Sequence, residues 1–435
     1  MTLSTHTELR DVGVAYLGSS RRLVREVSGR ENLADYRYAG GYRPMEDDAV
    51  FLSSVESSGL RGRGGAAFPI GVKLRTVRDS GRDTVVVANG EEGEPTSLKD
   101  RWLLNNRPHL VLDGLRLAAA AARSTKLYIY LSDRHAQESI ELAVAELAAV
   151  NDLGFQLDVT VVKVDPAYVA GEETAAVQAI NGGRALPTDK PPRPFEAGVN
   201  DMPTVVSNVE TLANLPFIQQ FGVEEYRSLG TVGSPGTFLL TLSAPTCSGL
   251  YEVPFGTTLR EVLEWLGENT TTVNGVLVGG YFAGVADASV MDLPLDYDAY
   301  AGAGSGLGCG AMVVLGADTC PVTVSAAVLQ YFGKENAGQC GSCFNGTAAM
   351  AAVVGALRDQ SVTIEDMNRL RHWSSFLRGR GACGTLDGAA NVVLSLLRDF
   401  PDLVSAHEGG TCTLCAAPPL LSYPPYAVSA PALNI

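Results

Sequence analysis

The chain has 435 residues, a formal net charge of −15 and eight cysteines. Its length allows two or three domains, and its acidic charge argues against nucleic acid as a partner. The cysteines are too sparse for a disulfide scaffold, and residues 1–11 are too polar for a signal peptide. We therefore expect the reducing cytoplasm, where clustered cysteines bind metal or carry out redox chemistry. No segment is predicted to span a membrane.

Residues 1–50 are polar and mixed, which predicts an arm or a packing helix ahead of the first domain. Over residues 51–228, β-branched runs alternate with helical patterns, and this alternation predicts βαβ units around a largely parallel sheet. The predicted strands are 84–88, 127–131 and 157–164, and the helices between them are 109–122 and 136–150. Ligands of such sheets bind beyond the carboxyl ends of the strands.

Two further units follow a proline-rich connector at 187–194. Residues 229–320 predict a small α+β module, with strands at 237–242 and 275–278 and a helix at 259–266. Residues 321–407 predict a four-helix bundle, with helices at 324–332, 346–357, 364–377 and 389–400. The tail, 408–435, is rich in proline and is predicted to be extended. The fold class is therefore α/β, with an α+β module and a C-terminal bundle.

Three loops fall at the carboxyl edge of the predicted sheet. The first, 59–73, is rich in glycine and opens a helix, so its backbone N–H groups can bind a phosphate. The second, 89–95, holds glutamates that are costly together unless they are solvated or hold ligand hydroxyls. The third, 167–174, places two glutamates at a predicted helix start, where simple capping is the alternative. Together the loops predict a nucleotide pocket; Tyr168 either stacks on a flat ring or is an ordinary half-buried tyrosine.

The cysteines suggest a metal or cluster site in the predicted bundle. Cys340 and Cys343 stand three residues apart, and Cys383 follows forty residues later, a set that can reach one metal or one iron–sulfur cluster. Zinc is the alternative, but it needs four ligands, and the pair at 412 and 415 is farther away than usual zinc spacings. The remaining cysteines fit no ligand spacing and are predicted to be small buried residues: Cys247, Cys309 and Cys320.

These motifs resemble those of the NADH-oxidising flavoprotein subunit of NADH:quinone oxidoreductase, respiratory complex I, and of its relatives in soluble hydrogenases and formate dehydrogenases. The match runs from about residue 40 to about residue 407 and includes 58–65, 89–95, 171–174, 203–212, 250–254 and 335–343. The resemblance implies a Rossmann-like FMN- and NADH-binding domain at 51–228. It also implies a ubiquitin-like module at 229–320 and a bundle at 321–407 that holds a [4Fe–4S] cluster.

The resemblance also implies which residues hold the cofactors. The three loops and the strand ends beside them would bind FMN, and the glutamates would line the cofactor and NADH pocket. The implied cofactor-binding residues are Gly62, Arg63, Gly64, Gly65, Phe68, Lys73, Asn89, Glu91, Glu92, Glu94, Tyr168, Gly171, Glu172, Glu173, Asn208 and Thr211. The implied cluster ligands are Cys340, Cys343 and Cys383.

The sequence departs from the family pattern at the cluster. Alanine stands at position 337, where the family has the first of its cluster cysteines. Three thiolates suffice for a [3Fe–4S] cluster, or for a [4Fe–4S] cluster with a substitute ligand. Cys412 or Cys415 of the tail is the natural candidate for that substitute. The missing cysteine indicates a divergent paralogue rather than the complex I subunit itself.

Other departures lie in the predicted nucleotide pocket. Ala67 replaces a glycine of the flavin loop, and Glu91 and Ser207 replace an aspartate and an asparagine. Thr76 and Arg193 stand where relatives have aromatics that stack on adenine, a contact worth about 1–3 kcal/mol by analogy with nucleic-acid stacking. The acidic loops would repel the 2′-phosphate of NADPH and so favour NADH, whereas Arg193 could pair with that phosphate.

The cofactors together predict an electron-transfer enzyme. A hydride carries two electrons, an iron–sulfur cluster accepts one, and a flavin handles both. The leading hypothesis is an NADH-oxidising subunit that passes electrons through FMN and its cluster to an iron–sulfur protein subunit or a ferredoxin. It would work in a hetero-oligomer that is cytoplasmic or peripheral to a membrane complex, with no catalytic acid or base. The alternatives are an electron-transfer subunit that no longer binds NADH, and a structural subunit with neither cofactor.

Overall fold

The computed structural model describes residues 13–17, 22–25, 29–415 and 423–428. Much of the predicted arm and tail, including the polar start at 1–11, lies outside the described residues. The strands are β1 Gly13–Tyr16, β2 Val85–Asn89, β3 Lys126–Leu131, β4 Val159–Lys163, β5 Thr204–Asn208, β6 Thr237–Ser243, β7 Ser248–Pro254, β8 Val273–Val278, β9 Val285–Ala286 and β10 Ala311–Gly316.

Helices surround and follow these strands. In the first half of the chain they are α1 Leu33–Tyr38, α2 Asp48–Ser58, α3 Ile70–Arg78, α4 Lys99–Asn106, α5 Pro108–Ala122, α6 Arg134–Ala148, α7 Glu173–Ile180, α8 Val209–Ala213 and α9 Leu215–Arg227. In the second half they are α10 Leu259–Trp265, α11 Tyr297–Gly302, α12 Pro321–Glu335, α13 Gly341–Arg358, α14 Ile364–Phe376, α15 Thr385–Asp399 and α16 Pro401–Glu408. None of the described helices combines the length and the apolar composition needed to cross a lipid bilayer.

The first sheet has four parallel strands in the order β4–β3–β2–β5. Its central strand β2 is almost entirely buried, and α5 and α6 pack on the sheet. The β-branched runs therefore predicted the parallel sheet correctly, since a strand covered on both faces favours such residues. β5 was not predicted as a strand, because its five residues lead directly into α8. The strand ends at Asn89 and Asn208 lie side by side in the register.

The second sheet is mixed and has six strands in the order β1–β7–β6–β10–β8–β9. Its edge strand β1 comes from the N-terminal segment and pairs parallel with β7. Residues 13–16 of the predicted arm therefore form an edge strand, which was not predicted from the sequence. The buried carboxylate of Glu252 in β7 holds residues 22–24, which follow β1 in the chain. It accepts hydrogen bonds from the backbone N–H groups of Arg22, Leu23 and Val24.

Helices α12 to α15 confirm the four helices predicted for the bundle, and α16 adds another. α13 begins at Gly341, five residues before the predicted start at residue 346. The prediction missed the first turn, 341–345, because that turn lacks the apolar spacing that marks the rest of the helix. Phe332, Met350 and Leu386 of the bundle share a buried core with Leu277 and Leu315 of the second sheet, so the bundle packs on that sheet.

The described part of the tail packs against the rest of the molecule. The Tyr423 hydroxyl donates to the Glu335 carboxylate at 2.8 Å, so this segment touches the end of α12. The Val428 N–H donates to the Pro95 carbonyl at 3.0 Å, and Arg101 donates to the Val428 carbonyl at 3.1 Å. The tail thus reaches from the bundle to the loop that follows β2.

Candidate functional site

The ends of β2 and β5 organise the three predicted loops. Asn89 ends β2 and donates from its side chain to the Gly171 carbonyl of the third loop at 2.9 Å. Asn208 ends β5, caps α8, and donates to the Asp100 carboxylate at 2.7 Å. Because both amide groups already hold neighbouring segments, their first role is to fix the loops around the carboxyl edge of the sheet.

The glycine loop folds back on itself before α3. The Gly62 N–H donates to the Phe68 carbonyl at 2.9 Å, and Gly65 takes a left-handed φ of 105°. Ala67 also has a left-handed φ, 51°, which explains why a glycine suits this position. A Cβ on Gly64 would lie only 3.3 Å from the Asn208 Cβ, so this glycine lets the loop approach the end of β5.

The side chain of Arg63 is not free to hold a phosphate. It is fully buried, donates to the Arg61 and Thr237 carbonyls at 3.0 and 3.1 Å, and stacks over the Phe255 ring. Its backbone N–H donates to the Thr211 hydroxyl at 2.8 Å. The prediction that Arg63 binds the cofactor is therefore unsupported for its side chain, which instead joins the glycine loop to the second sheet.

The three glutamates of the acidic loop, residues 89–95, differ in their surroundings. Glu92 is held by hydrogen bonds and an ion pair, whereas burial raises the pKa of Glu91 and Glu94. Glu92 accepts bonds from the Ser97 hydroxyl at 2.6 Å and from the Arg101 backbone and side chain at 3.1 Å. Burial opposes ionisation of Glu92, but the charges of Arg101 and Lys99 outweigh it and lower its pKa. This carboxylate closes the loop onto the start of α4.

Burial raises the pKa of both Glu91 and Glu94 to about 7. Glu94 accepts from the Tyr281 N–H at 3.0 Å and from the Thr96 hydroxyl at 2.9 Å. Glu91 is only 5% exposed, and neither carboxylate oxygen makes a hydrogen bond of ordinary geometry among the described residues, although the Ser132 hydroxyl and the Ala167 N–H lie close enough to lower its pKa against the effect of burial. A buried carboxyl whose donors are so poorly placed is costly, so Glu91 is the acidic side chain best placed to receive a ligand donor.

The third loop meets the other two through charge and close contact. Glu172 caps α7, accepting from the Thr174 N–H at 2.7 Å, and also accepts from Lys190 at 2.7 Å. Glu173 pairs with Lys73 of α3 at 3.2 Å. Capping therefore accounts for Glu172, whereas the Lys73–Glu173 pair joins the first and third loops. A Cβ on Gly171 would stand 3.1 Å from the Glu91 carbonyl, so this glycine permits the contact between loops.

Aromatic residues stand between these loops and the bundle. Tyr168 packs edge to face on Tyr331 and Phe332 of α12, with ring centroids 5.9 and 5.2 Å apart. This packing is that of an ordinary half-buried tyrosine. Phe68 of the glycine loop is 43% exposed, and the Lys73 ammonium lies 5.9 Å from its ring centre.

One cysteine near these loops was not predicted to belong to the site. The backbone at Cys309 lies 3.9 Å from where a Cβ on Gly65 would be. Burial and the Glu94 carboxylate raise the pKa of the Cys309 thiol. No spacing in the sequence marks this cysteine, because its place depends on β10 lying beside the glycine loop.

Three cysteines share one cavity at the C-terminal end of α12. Cys340, Cys343 and Cys383, here called the thiol trio, line it together with Pro187, Ala337, Gly338, Gln339, Gly381 and Ala382. The Ala382 N–H donates to the Cys340 sulfur at 3.4 Å. Burial and the two neighbouring cysteines raise the pKa of the Cys343 thiol to about 12. The three cysteines therefore lie together, as predicted, and Ala337, which stands where the family has a fourth cysteine, lines the same cavity.

The tail cysteines do not complete the trio. Cys412 and Cys415 lie with Cys320 and His407, and the ligand atoms of these four residues, here called the Cys3His group, all fall within 4.8 Å of one another. Cys320 precedes α12 and the trio follows it, so about 20 Å of helix separates the two places. The prediction of Cys412 or Cys415 as the substitute cluster ligand is wrong. Cys320 is buried, as predicted, but the sequence did not predict its place in this group.

The two positions that lack the expected aromatics are both exposed. Thr76 lies on α3 and donates its hydroxyl back to the Val72 carbonyl at 2.8 Å. Arg193 lies in the proline-rich connector, where its N–H donates to the Glu196 carboxylate at 2.7 Å. Neither side chain supplies a flat aromatic face for a base.

Comparisons with known proteins agree with this arrangement. Residues 55–217 match the Nuo51 FMN-binding domain, and residues 323–407 match the NADH-ubiquinone oxidoreductase-F iron-sulfur binding region. The F subunit of NADH-quinone oxidoreductase from Mycobacterium tuberculosis is 35% identical over 85% of this chain and 86% of its own length. The HndC subunit of the NADP-reducing hydrogenase from Solidesulfovibrio fructosivorans is 30% identical over 90% of this chain and 84% of its own length.

A solved structure extends the comparison to the fold. The crystal structure of an NAD+-reducing [NiFe]-hydrogenase in the H2-reduced state matches with a TM-score of 0.76 and 30% identity. The match covers 83% of this chain but only 63% of that hydrogenase chain. The relatives are subunits of larger assemblies, as their names state. On identity, coverage and fold, the chain belongs to the family of the F subunits of NADH-quinone oxidoreductase.

Proposed function

We propose that this chain oxidises NADH and passes the electrons through FMN and an iron–sulfur cluster to a protein acceptor. The carrying observation is that the nucleotide loops adjoin the thiol trio. Tyr168 of the third loop packs on Phe332 of α12, and Pro187 of the connector lines the cavity of Cys340. FMN, when bound, accepts a hydride and releases its electrons singly, which is the chemistry that joins NADH to a cluster.

The residues at the three loops fit a flavin mononucleotide. The Gly62, Arg63 and Ile70 N–H groups already donate to other groups of the protein. No side chain caps α3, so the N–H groups of Gly64, Gly65 and Gly71 are the candidates for binding a phosphate. The buried carboxyl of Glu91, which makes no hydrogen bond of ordinary geometry among the described residues, suits a ligand hydroxyl or N–H. Lys73 supplies a half-buried positive charge on the helix that follows the glycine loop, and its pairing with Glu173 sets its direction.

The assignment of domains follows from these loops. We assign the Rossmann-like FMN and NADH domain to 51–228, the ubiquitin-like module to 229–320 and the cluster-binding bundle to 321–407. The cofactor-facing set is then Gly62, Gly64, Gly65, Phe68, Lys73, Asn89, Glu91, Glu94, Gly171, Glu173 and Asn208. Arg63, Glu92, Tyr168, Glu172 and Thr211 act by supporting that set.

The thiol trio fits an iron–sulfur cluster better than a single ion. Among the described residues, the tight grouping within 4.8 Å is the Cys3His group, so the trio is spaced more widely. A cluster needs wider spacing, because each cysteine binds a different iron. Backbone donors such as the Ala382 N–H would stabilise the thiolate charge there.

The acceptor is an acidic iron–sulfur protein, either a partner subunit or a ferredoxin. Arg378 and Arg380 are exposed in the segment that leads to Cys383, and the Arg380 guanidinium lies over the Phe376 ring, which is 50% exposed. Phe344, which is 44% exposed, follows Cys343, and the nearby Ser342 hydroxyl donates to the Arg380 carbonyl. A basic patch with exposed rings stands out on a chain with a net charge of −15. We place the complex in the cytoplasm, as a hetero-oligomer.

Anaerobic titration of the purified holoprotein with NADH tests the proposal. We expect flavin absorbance to fall after addition of about one NADH per flavin, followed by reduction of the cluster. NADPH is the matched comparison, and we expect it to react more slowly because of the acidic loops. Protein that releases no FMN on denaturation, or that contains no iron after anaerobic preparation, would contradict the assignment.

A second function is favoured by the two exposed positions, Thr76 and Arg193, that lack an aromatic face. It is an FMN and iron–sulfur subunit that exchanges electrons with a ferredoxin-like partner and does not bind NADH. Flavin that is bleached by dithionite or reduced ferredoxin but not by NADH would support this function instead.

A further inference from the structure

The Cys3His group brings together residues from three parts of the bundle. Cys320 immediately precedes α12, His407 lies in the last turn of α16, and Cys412 and Cys415 lie in the turn that follows. The His407 Nε2 is 3.3 Å from the Cys320 sulfur and 3.6 Å from the Cys415 sulfur. All four ligand atoms face one point, although 87 residues separate Cys320 from His407.

The histidine is oriented as a metal-binding histidine is. Its Nδ1 lies 2.9 Å from the Leu357 carbonyl, an acceptor, so Nδ1 carries the proton and donates it. Nε2 is then left with its lone pair directed at the sulfurs. A backbone carbonyl that fixes the far nitrogen is the usual support for a histidine ligand.

The geometry points to a structural Zn²⁺ site formed by Cys320, His407, Cys412 and Cys415. Tetrahedral zinc with bonds of about 2.3 Å to sulfur and about 2.0 Å to nitrogen keeps its ligand atoms about 3.5–3.8 Å apart. The His407 Nε2 lies 3.3 and 3.6 Å from the Cys320 and Cys415 sulfurs, close to this range, and all four ligand atoms lie within 4.8 Å of one another, so small adjustments would bring them onto one zinc ion. Because four protein ligands fill the coordination shell, the site is closed, as structural zinc sites are.

The burial of these side chains favours a zinc ion bound by all four of them over a group without metal. His407 is wholly buried, and Cys320 and Cys412 are 4% and 9% exposed. The free cysteines form no disulfide among themselves. A buried imidazole with its lone pair facing thiols gains little from weak S–H donors, whereas coordination satisfies all four groups at once.

The site lies where the chain leaves the bundle for the tail. The described tail, 423–428, contacts Glu335 and Tyr331 of α12 and, through Val428, Pro95 and Arg101 beside the acidic loop. Arg101 in turn holds Glu92. Zinc at the Cys3His group would therefore fix the start of the tail, whose described residues 423–428 contact the acidic loop through Val428. This role does not depend on NADH oxidation.

Metal analysis of the anaerobically purified full-length holoprotein tests the site. We expect about one zinc per chain in addition to iron. Cys412→Ser with Cys415→Ser should remove the zinc and leave the iron, and Cys340→Ser should do the opposite. Cys247→Ser is the matched control, because this cysteine is outside both groups, and it should change neither metal.

Zinc K-edge X-ray absorption of the unsubstituted protein keeps the test decisive if a variant does not fold. Three sulfurs and one nitrogen around zinc would establish the site. A shell of oxygen and nitrogen, no zinc after growth in zinc-supplemented medium, or iron bound at the Cys3His group would each overturn the proposal. Zinc lost from Cys340→Ser but kept in the tail double variant would also overturn it.

Discussion

Tyr168 of the third loop meets Phe332 of α12 edge to face, with their ring centroids 5.2 Å apart. This contact joins the loop that leads from the first sheet to the helix whose C-terminal end leads to the thiol trio. We therefore expect this contact to couple the position of the third loop to the segment that carries Cys340.

Tyr168→Ala tests that contact. Removing the ring of this half-buried residue takes away its packing on two aromatics, and because truncations of fully buried aromatics cost about 3–5 kcal/mol, the cost here should be smaller. We expect a lower midpoint of thermal unfolding and slower electron transfer from flavin to cluster, measured by stopped-flow absorbance after NADH addition. Tyr168→Phe keeps the ring and is the control. Equal rates in all three proteins would show that the contact does not couple the two sites.

Arg63→Met distinguishes a structural arginine from a phosphate-binding one. Loss of the guanidinium leaves the Thr237 carbonyl without that donor, while the buried Glu210 carboxylate loses a cation 3.9 Å away but keeps Lys99 at 3.1 Å. A buried polar group left without its partner costs about 1–3 kcal/mol. We therefore expect a lower unfolding temperature in FMN-free protein as well as in the holoprotein.

A phosphate-binding Arg63 would give a different result. FMN affinity, followed by quenching of flavin fluorescence, would fall while the stability of the FMN-free protein stayed the same. Arg61→Met is the matched comparison, since that side chain is partly exposed and pairs with the surface residue Asp298. Its stability should change little, because surface pairs contribute about 0–1 kcal/mol.

The folded-state pKa of Glu91, about 7, makes the stability of the FMN-free protein depend on pH. Between pH 4.5, the ordinary pKa, and pH 7, the unfolded chain releases this proton and the folded chain keeps it. The contribution of Glu91 is therefore fully present below the ordinary pKa and is lost as the pH rises through 7. The loss is at most about 3 kcal/mol.

Glu91→Gln removes that ionisation. We expect the variant to have a higher unfolding temperature than the unsubstituted protein at pH 8, and a smaller advantage at pH 5. Glu92→Gln is the control with the opposite sign, because the Glu92 pKa is lowered and its carboxylate holds Arg101. Stability of Glu91→Gln that follows the same pH profile as the unsubstituted protein would contradict the assignment.

Patterns within a few residues predicted the helices and strands, whereas contacts between residues far apart in the sequence determine where the site side chains lie. The β-branched run of β2 and the apolar spacing of α14 are visible within a few residues, so both were predicted nearly to their observed bounds. The direction of the Arg63 side chain depends on Thr237, 174 residues away, and no motif contains that information. Cys320 was missed for the same reason, although the spacing of His407, Cys412 and Cys415 was a local signal.

Ala337→Cys tests the open side of the thiol trio. Ala337 lines the same cavity as the three cysteines, so a sulfur placed there can reach the same cluster. We expect the unsubstituted protein to lose iron from its cluster on mild oxidation, since one iron lacks a thiolate. Ala337→Cys should raise the retained iron towards about four per chain and suppress the signal of the oxidised three-iron form in electron paramagnetic resonance.

Ala337→Ser controls for the change in volume. The double variant Cys412→Ser with Cys415→Ser should leave this spectrum unchanged, because the Cys3His group lies at the other end of α12. A cluster that resists oxidation equally in Ala337→Cys and in the unsubstituted protein would show that another group already occupies the fourth side.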